Sequence, residues 1–137
     1  MTLEDRDTLR AVIVSAESAT AAQRAGKLLD EMGLDVAQAR TVDHALGLLE
    51  EDPTDLLVVD ISNSPMNRKF VESLADLPLS SRPRQLAIFS EIMDEELRRL
   101  RARMRPTKVH VFLKPLHMHG LLGVLRHLDC QGQVASA

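Results

Sequence analysis

Cysteine and aromatic residues are scarce in this sequence: its 137 residues include one cysteine, three phenylalanines, and no tryptophan or tyrosine. Because Cys130 has no partner within the chain, an internal disulfide is excluded, and so is a zinc site built from cysteine pairs. The shortage of rings disfavours flavins, sugars and single-stranded nucleic acids, which commonly stack on aromatic side chains. A lone cysteine fits a reducing cytoplasm, where we expect the protein to lie.

Long apolar runs and a large excess of one charge are also missing. The first ten residues, MTLEDRDTLR, are charged, and the apolar runs elsewhere are far shorter than a membrane span. With 17 basic and 20 acidic residues, the net charge of -3 provides no overall attraction to nucleic acid or anionic lipid. We therefore expect neither DNA nor a membrane as a partner.

Short apolar runs alternate along the chain with segments whose apolar residues recur at helical spacing. The runs resemble strands covered on both faces, while Gly33 is placed to end the first helix and Thr41 to cap the second. The predicted strands are 11–14, 34–39, 56–60, 86–90 and 109–113; the predicted helices cover 18–32, the segment from Thr41 to Leu49, the region of Phe70 to Leu74, 93–104, and the region of Leu121 to Leu128.

This succession predicts an α/β fold, a doubly wound parallel sheet of five strands with helices on both faces, because parallel strands need crossover helices that cover the sheet. We assign residues 10–129 to one domain, 1–9 to an amino-terminal extension and 130–137 to a flexible tail. In such folds chemistry collects at the carboxyl ends of the strands. Those positions hold Asp60 after the third strand, Ser90 after the fourth and Lys114 after the fifth.

An Asp, a hydroxyl and a Lys-Pro pair at these three strand ends resemble the response-regulator receiver domain of two-component signalling, over about residues 10–128. The resemblance implies a flavodoxin-like strand order, 2-1-3-4-5. It also implies that Asp60 accepts a phosphoryl group from a histidine kinase, that Ser90 binds the phosphoryl oxygens and switches rotamer, and that Lys114 pairs with the phosphoryl group. Positive charge and hydrogen-bond donors aimed at those oxygens are what phosphoryl transfer needs.

The sequence departs from the family at the metal site. Receivers normally carry an acidic pair after the first strand to hold Mg²⁺, whereas Ser15 and Ala16 stand there in this chain. Glu17 is a candidate replacement ligand, although adjacent residues at a strand end point in different directions. We therefore expect no cofactor, with Mg²⁺ bound only if the site still functions.

Three further departures concern the phosphoryl pocket and the switch. Glu91 occupies a position where the family usually has a small residue, and its carboxylate would repel a phosphoryl group. Val111 replaces the aromatic residue whose inward swing reports phosphorylation in the family. The loop from Asp60 to Pro65 is one residue longer than usual, which would displace the carbonyl at Ser62 that binds the metal.

Each candidate residue also has a structural interpretation. Asp60 could be a strand-end carboxylate paired with Lys114, and Ser90 a structural hydroxyl. His117 and His119, with His110, suggest a metal site only weakly, because residues two apart diverge on the helix predicted there. His44 has no surroundings that suit phosphotransfer.

The densest basic stretch follows acidic residues in the fourth helix, an order that suits the helix macrodipole and a solvated face. A docking surface for an acidic partner or an anionic second messenger is the alternative. The basic residues are Arg98, Arg99, Arg101, Arg103, Arg105 and Lys108.

Our leading hypothesis is an atypical receiver that acts by protein–protein interaction, with weak or absent phosphorylation at Asp60. The expected partner surface is the face of helix four, strand five and helix five, for a kinase, a downstream target or a second copy of the chain. The alternatives are a functional single-domain regulator phosphorylated on Asp60 and a nucleotide-binding pseudo-receiver. An enzyme of another kind on this fold is not expected, because the first strand is followed by Ser15-Ala16-Glu17-Ser18 instead of a glycine-rich phosphate loop.

Overall fold

A computed structural model describes residues 9–14, 20–61 and 65–113, apart from the side chains of 20–22. Strands and helices alternate throughout this part of the chain, and two short 3-10 helices, Leu74–Asp76 and Leu79–Ser81, precede the fourth strand. The elements are β1 Arg10–Val14, α1 Thr20–Glu31, β2 Asp35–Ala39, α2 Val42–Glu51, β3 Leu56–Asp60, α3 Pro65–Ser73, β4 Gln85–Ser90, α4 Glu95–Met104 and β5 Lys108–Leu113.

The five strands form one parallel sheet in the order β2-β1-β3-β4-β5, which confirms the predicted fold class and strand order. β3 lies beside β1 with Val14 opposite Val59, and beside β4 with Asp60 opposite Phe89. The predicted fifth helix and the tail lie outside the described residues. The domain limits at residues 9/10 and 129/130 remain predictions.

Helices cover both faces of the sheet, as expected. On one face, α2, α3 and α4 bury side chains such as Leu49, Phe70 and Leu100 against β1, β3 and β4. On the other face, α1 contributes Ala25 and Leu29. Every residue of β3 and β4 is buried, as expected for central strands of a parallel sheet. Asp60 and Ser90 are therefore the last residues of two fully buried strands.

Several element boundaries differ from the sequence-based ones. Pro65 was predicted to be in a loop, but it is the first residue of α3, where its missing N–H removes no intrahelical bond. Leu74, predicted in the same helix, lies in the 3-10 turn that follows α3. α4 begins at Glu95 rather than Met93, because the Asp94 side chain accepts a hydrogen bond from the Leu97 N–H and caps the helix.

No helix in the described part of the chain combines the length and the hydropathy needed to cross a bilayer.

Candidate functional site

Asp60 and Ser90 lie on neighbouring strands at the carboxyl edge of the sheet. Asp60 is the last residue of β3 and is 6% exposed, and Ser90 is the last residue of β4 and is 3% exposed. The Ile61 N–H donates to the Phe89 carbonyl at 2.9 Å, so the pairing of the two strands continues past Asp60. The structure thus brings together two of the three strand-end residues predicted from the sequence.

Asn67 is a further polar residue at this edge, and the sequence reasoning missed it. Its Nδ2 donates to the main-chain carbonyl of Asp60 at 2.9 Å, and the residue is 6% exposed. Helical periodicity places Asn67 on the same face of α3 as Phe70 and Val71, both buried in the core. An amide on an apolar face is a signal in the sequence, because a buried amide requires a hydrogen-bond partner.

The Ser90 hydroxyl is engaged by the loop between β4 and α4. It donates to the Ile92 carbonyl at 2.7 Å and accepts from the Ile92 N–H at 3.2 Å. This local ring of hydrogen bonds fixes the chain direction after the strand. To donate to a phosphoryl oxygen, the hydroxyl would have to turn away from the Ile92 carbonyl.

Arg68, the residue after Asn67, joins α3 to the start of α4. Its guanidinium lies 2.6 Å from the Asp94 carboxylate, 3.3 Å from Glu96 and 3.5 Å from Glu72. Burial alone would lower the pKa of Arg68, but its contacts with Asp94 and Glu96 outweigh it and raise that pKa. The pKa of Asp94 is held below its usual value, first by the hydrogen bond from Leu97 and then by Arg68.

Two of the predicted departures lie within the described residues. Glu91 follows β4 with an exposed side chain. Val111 is half-buried in β5 and packs against the core beneath α2, α3 and α4. An aliphatic side chain at this position is part of the packing and has no ring that could change between an inward and an outward rotamer.

The histidines described by the structure have ordinary surroundings. The His110 ring lies 2.7 Å from the Gln85 side-chain oxygen and stacks on Phe112 with its centroid 6.4 Å away. His44 is exposed on α2. Within the ranges that the structure covers, no group of three or more His, Cys, Asp or Glu side chains is placed to hold a metal ion.

The other predicted site residues are Ser15, Ala16, Glu17, Lys114, His117 and His119, and they lie outside the described residues. What they offer a metal is known from their chemistry alone. Mg²⁺ prefers several oxygen ligands with carboxylates among them, whereas Ser15 provides a neutral hydroxyl and Ala16 a methyl group. Ser15 and Ala16 therefore do not provide the pair of carboxylates that a tightly held Mg²⁺ ion needs.

Comparison with solved structures shows which fold this is. The receiver domain (CheY-like) from Methanospirillum hungatei JF-1 superposes with a TM-score of 0.68 at 19% identity, covering 92% of this chain and 98% of that one. The CheY-like receiver domain from Methylobacillus flagellatus gives 0.64 at 18% identity, covering 88% and 98%. A response regulator from Thermotoga maritima gives 0.64 at 18% identity, covering 88% and 97%.

No protein-family model matches the chain, and no curated protein matches it. The strand order of the sheet nevertheless agrees with the superposed structures. This chain has the fold of a CheY-like response regulator receiver domain.

Proposed function

We propose that the chain is a signalling module rather than an enzyme: an atypical receiver that works by binding another protein, with Mg²⁺-dependent phosphorylation of Asp60 weak or absent. The observation that carries this proposal is the pair Ser15 and Ala16, which directly follow β1 in the sequence. The last residue of β1, Val14, lies opposite Val59, so β1 ends next to the end of β3. A receiver that is readily phosphorylated has carboxylates directly after its first strand.

The physical reason is charge. A phosphoryl donor approaching the carboxylate of Asp60 brings negative charge, which a divalent cation normally offsets. Without acidic ligands the cation is held weakly, and an exposed carboxylate at Glu91 adds negative charge to the same end of the molecule. Ser90 and Lys114 alone would then have to stabilise the transferring group.

Phosphorylation can be tested directly by intact-mass measurement after incubation with acetyl phosphate and millimolar Mg²⁺. We expect no phosphoryl adduct on the wild-type chain. The double variant Ser15→Asp/Ala16→Asp should gain one, and adding Asp60→Asn to it should remove the adduct again. A wild-type chain that is phosphorylated on Asp60 as completely as the double variant would contradict the proposal.

A functional phospho-receiver is the second candidate, and the placement of Asp60 and Ser90 at one edge favours it. In this case Glu17 would supply the missing carboxylate. If the wild-type chain takes up a phosphoryl group, Glu17→Ala should abolish the uptake while Glu31→Ala, an exposed residue at the end of α1, should leave it unchanged. Equal phosphorylation of both variants would exclude the rescue by Glu17.

The surface proposed for the partner is the face of helix four, strand five and helix five, of which the structure describes α4 and the edge strand β5. The buried side of α4 presents Leu97, Leu100 and Met104 to the core, and Glu96 reaches Arg68 on the flank toward α3. Arg98 and Arg101, three residues apart, share the opposite flank. Ile92, which lies between β4 and α4, is 59% exposed, and Leu113, the last residue of β5, is 48% exposed.

This combination of arginines and exposed apolar side chains fits a partner with an acidic, partly apolar surface. Part of the positive charge of α4 is neutralised within the helix, because the Glu95 carboxylate lies 3.6 Å from Arg98 and 4.0 Å from Arg99. A second copy of the chain is a separate candidate for this face. Sedimentation at several concentrations would test it: Arg98→Glu/Arg101→Glu should weaken a dimer, and Lys27→Glu on α1 should not.

A further inference from the structure

A cleft lies at the opposite edge of the sheet from Asp60, where β4 and β5 begin. Its volume is about 340 Å³, near the lower end of the range for small-molecule sites, ~300–1,000 Å³. Three basic residues and three apolar ones contribute to its lining, together with Thr107. The basic residues are Arg82, Arg84 and Lys108, and the apolar ones are Leu79, Pro83 and Pro106. None of the described residues that line the cleft is acidic.

Arg82 is held in one orientation by main-chain carbonyls. Its Nε donates to Leu77 at 3.0 Å, and its two terminal nitrogens donate to Ala75 at 2.6 Å and to Arg105 at 3.2 Å. These acceptors belong to two segments, one after α3 and the other at the end of α4. Carbonyl oxygens are dipoles without net charge, so the guanidinium keeps its full positive charge while losing its freedom of rotation.

Arg84 and Lys108 are brought together by strand pairing. The Lys108 N–H donates to the Arg84 carbonyl at 3.2 Å, and Lys108 lies opposite Gln85 in the β4–β5 register. Arg84 also contacts the Asp55 carboxylate at 3.1 Å, and that carboxylate accepts a hydrogen bond from the Arg10 N–H at 2.8 Å. Asp55 thus offsets part of the positive charge and orients Arg84 at the same time.

The base of the cleft is formed before any ligand arrives. The Thr107 hydroxyl donates to the Pro83 carbonyl at 2.6 Å, which fixes the segment before β5 against the segment before β4. Thr107 and Pro83 are both buried. Binding to a rigid site loses less conformational entropy than binding to a mobile one.

We propose that this cleft binds a small organic phosphate: a phosphate monoester whose remaining part is compact and apolar. A phosphate monoester is largely doubly charged at neutral pH, since its second pKa is about 6. Guanidinium groups match phosphate oxygens in charge and in geometry, and an ammonium group adds a point charge. Leu79 and the two prolines, Pro83 and Pro106, provide apolar contacts for the esterified group.

The proposed site is separate from the candidate phosphorylation site. It lies at the amino ends of β4 and β5, whereas Asp60 lies at the carboxyl end of β3. It also differs from the basic face of α4, whose Arg98 and Arg101 do not line the cleft. The outcome of a ligand-binding experiment at the cleft therefore does not depend on whether Asp60 is phosphorylated or α4 binds a partner.

The test is a titration of the full chain with phenyl phosphate, followed by amide NMR and by calorimetry. We expect saturable binding, with the largest shifts at Arg84, Thr107 and Lys108. The double variant Arg84→Gln/Lys108→Gln should bind about tenfold more weakly or worse. The control Lys27→Gln/Lys69→Gln removes the same charge from exposed positions on α1 and α3 and should bind like the wild type.

Three results would overturn the proposal: shifts that do not saturate, an equal loss of affinity in both double variants, or equal binding of phenyl phosphate and inorganic phosphate. The last would show that the apolar lining contributes nothing. Arg84 also contacts Asp55, so Lys108→Gln alone is measured as well, and it should weaken binding less than the double variant does.

Discussion

Two consecutive residues of α3 connect the end of β3 to the start of α4. Neighbouring residues on a helix point about 100° apart, so one can face the core while the next faces an adjacent helix. Asn67 accordingly binds the Asp60 carbonyl, and Arg68 binds Asp94 and Glu96. A single turn of α3 therefore contacts both the end of β3 and the first turn of α4.

Asp94 supports both the cap of α4 and the contact with Arg68, so its loss should destabilise the protein. We expect Asp94→Ala to lower the free energy of unfolding by about 1–2 kcal/mol, mostly through the lost cap. Asp94→Asn should cost less, because an asparagine side chain also caps a helix but cannot form the ion pair. Urea unfolding at pH 7 would measure both differences.

The same variants predict a pH dependence with a defined sign. The pKa of Asp94 is lower in the folded chain than in the unfolded one, so its carboxylate stabilises the fold fully above its ordinary pKa of about 4. This contribution is lost as the pH falls through the lower, folded-state pKa. The stability difference between the wild type and Asp94→Asn should therefore shrink in acid, and a difference that grows in acid would contradict the assignment.

Among the helices, α1 ends in a way that depends on one glycine. Gly33 has a φ of +91°, the Gly33 N–H donates to the Asp30 carbonyl at 3.0 Å, and the Leu34 N–H donates to the Leu29 carbonyl at 3.1 Å. This pair of bonds is a Schellman motif, which needs a residue in the left-handed region. It directs the chain from α1 into β2.

Two glycines of this protein should respond in opposite ways to the same substitution. Gly33→Ala should destabilise the fold by about 1 kcal/mol, because a side chain disfavours the left-handed conformation. Gly47, inside α2, has open space where a Cβ would be, so Gly47→Ala should stabilise by roughly 0.5–1 kcal/mol. Thermal unfolding of both variants would check the signs, and a stabilising Gly33→Ala would show that the motif is not formed.

Across the whole molecule, burial decreases from the centre of the sheet to its edges. β3 and β4 are buried throughout and β1 nearly so, whereas β2 and β5 at the two edges have several exposed positions. Edge strands open by local fluctuations, while central strands exchange their amide protons only when most of the fold opens.

Hydrogen exchange should follow this order. We expect the slowest amides in β3 and β4, with β2 exchanging faster by about tenfold or more, equivalent to ~1.4 kcal/mol. Mass spectrometry of peptides after deuterium labelling would measure the difference. If β2 were protected as strongly as β3, an additional contact would have to cover that edge in solution.

Much of the fold could be predicted because each strand is a short apolar run and each crossover has helical periodicity. Asp60 and Ser90 were found from the same pattern, since they interrupt apolar runs where parallel strands end together. Helix boundaries were less accurate at Pro65 and Asp94, where a single residue decides where a helix begins. Asn67 was missed because the sequence shows only an amide on an apolar helix face and does not show its partner, the main-chain carbonyl of Asp60.

The sequence by itself determines the succession of strands and helices along the chain and the sheet edge that carries Asp60 and Ser90, because these follow from local periodicity and strand-end position. The missing acidic pair at Ser15 and Ala16 is a departure from the receiver family that the sequence resembles. Tertiary structure alone decided that Arg68 meets Asp94 and that basic residues gather around a cleft before β4 and β5. Such contacts join residues far apart in the chain, and they depend on the rotation and packing of whole helices, which periodicity does not specify.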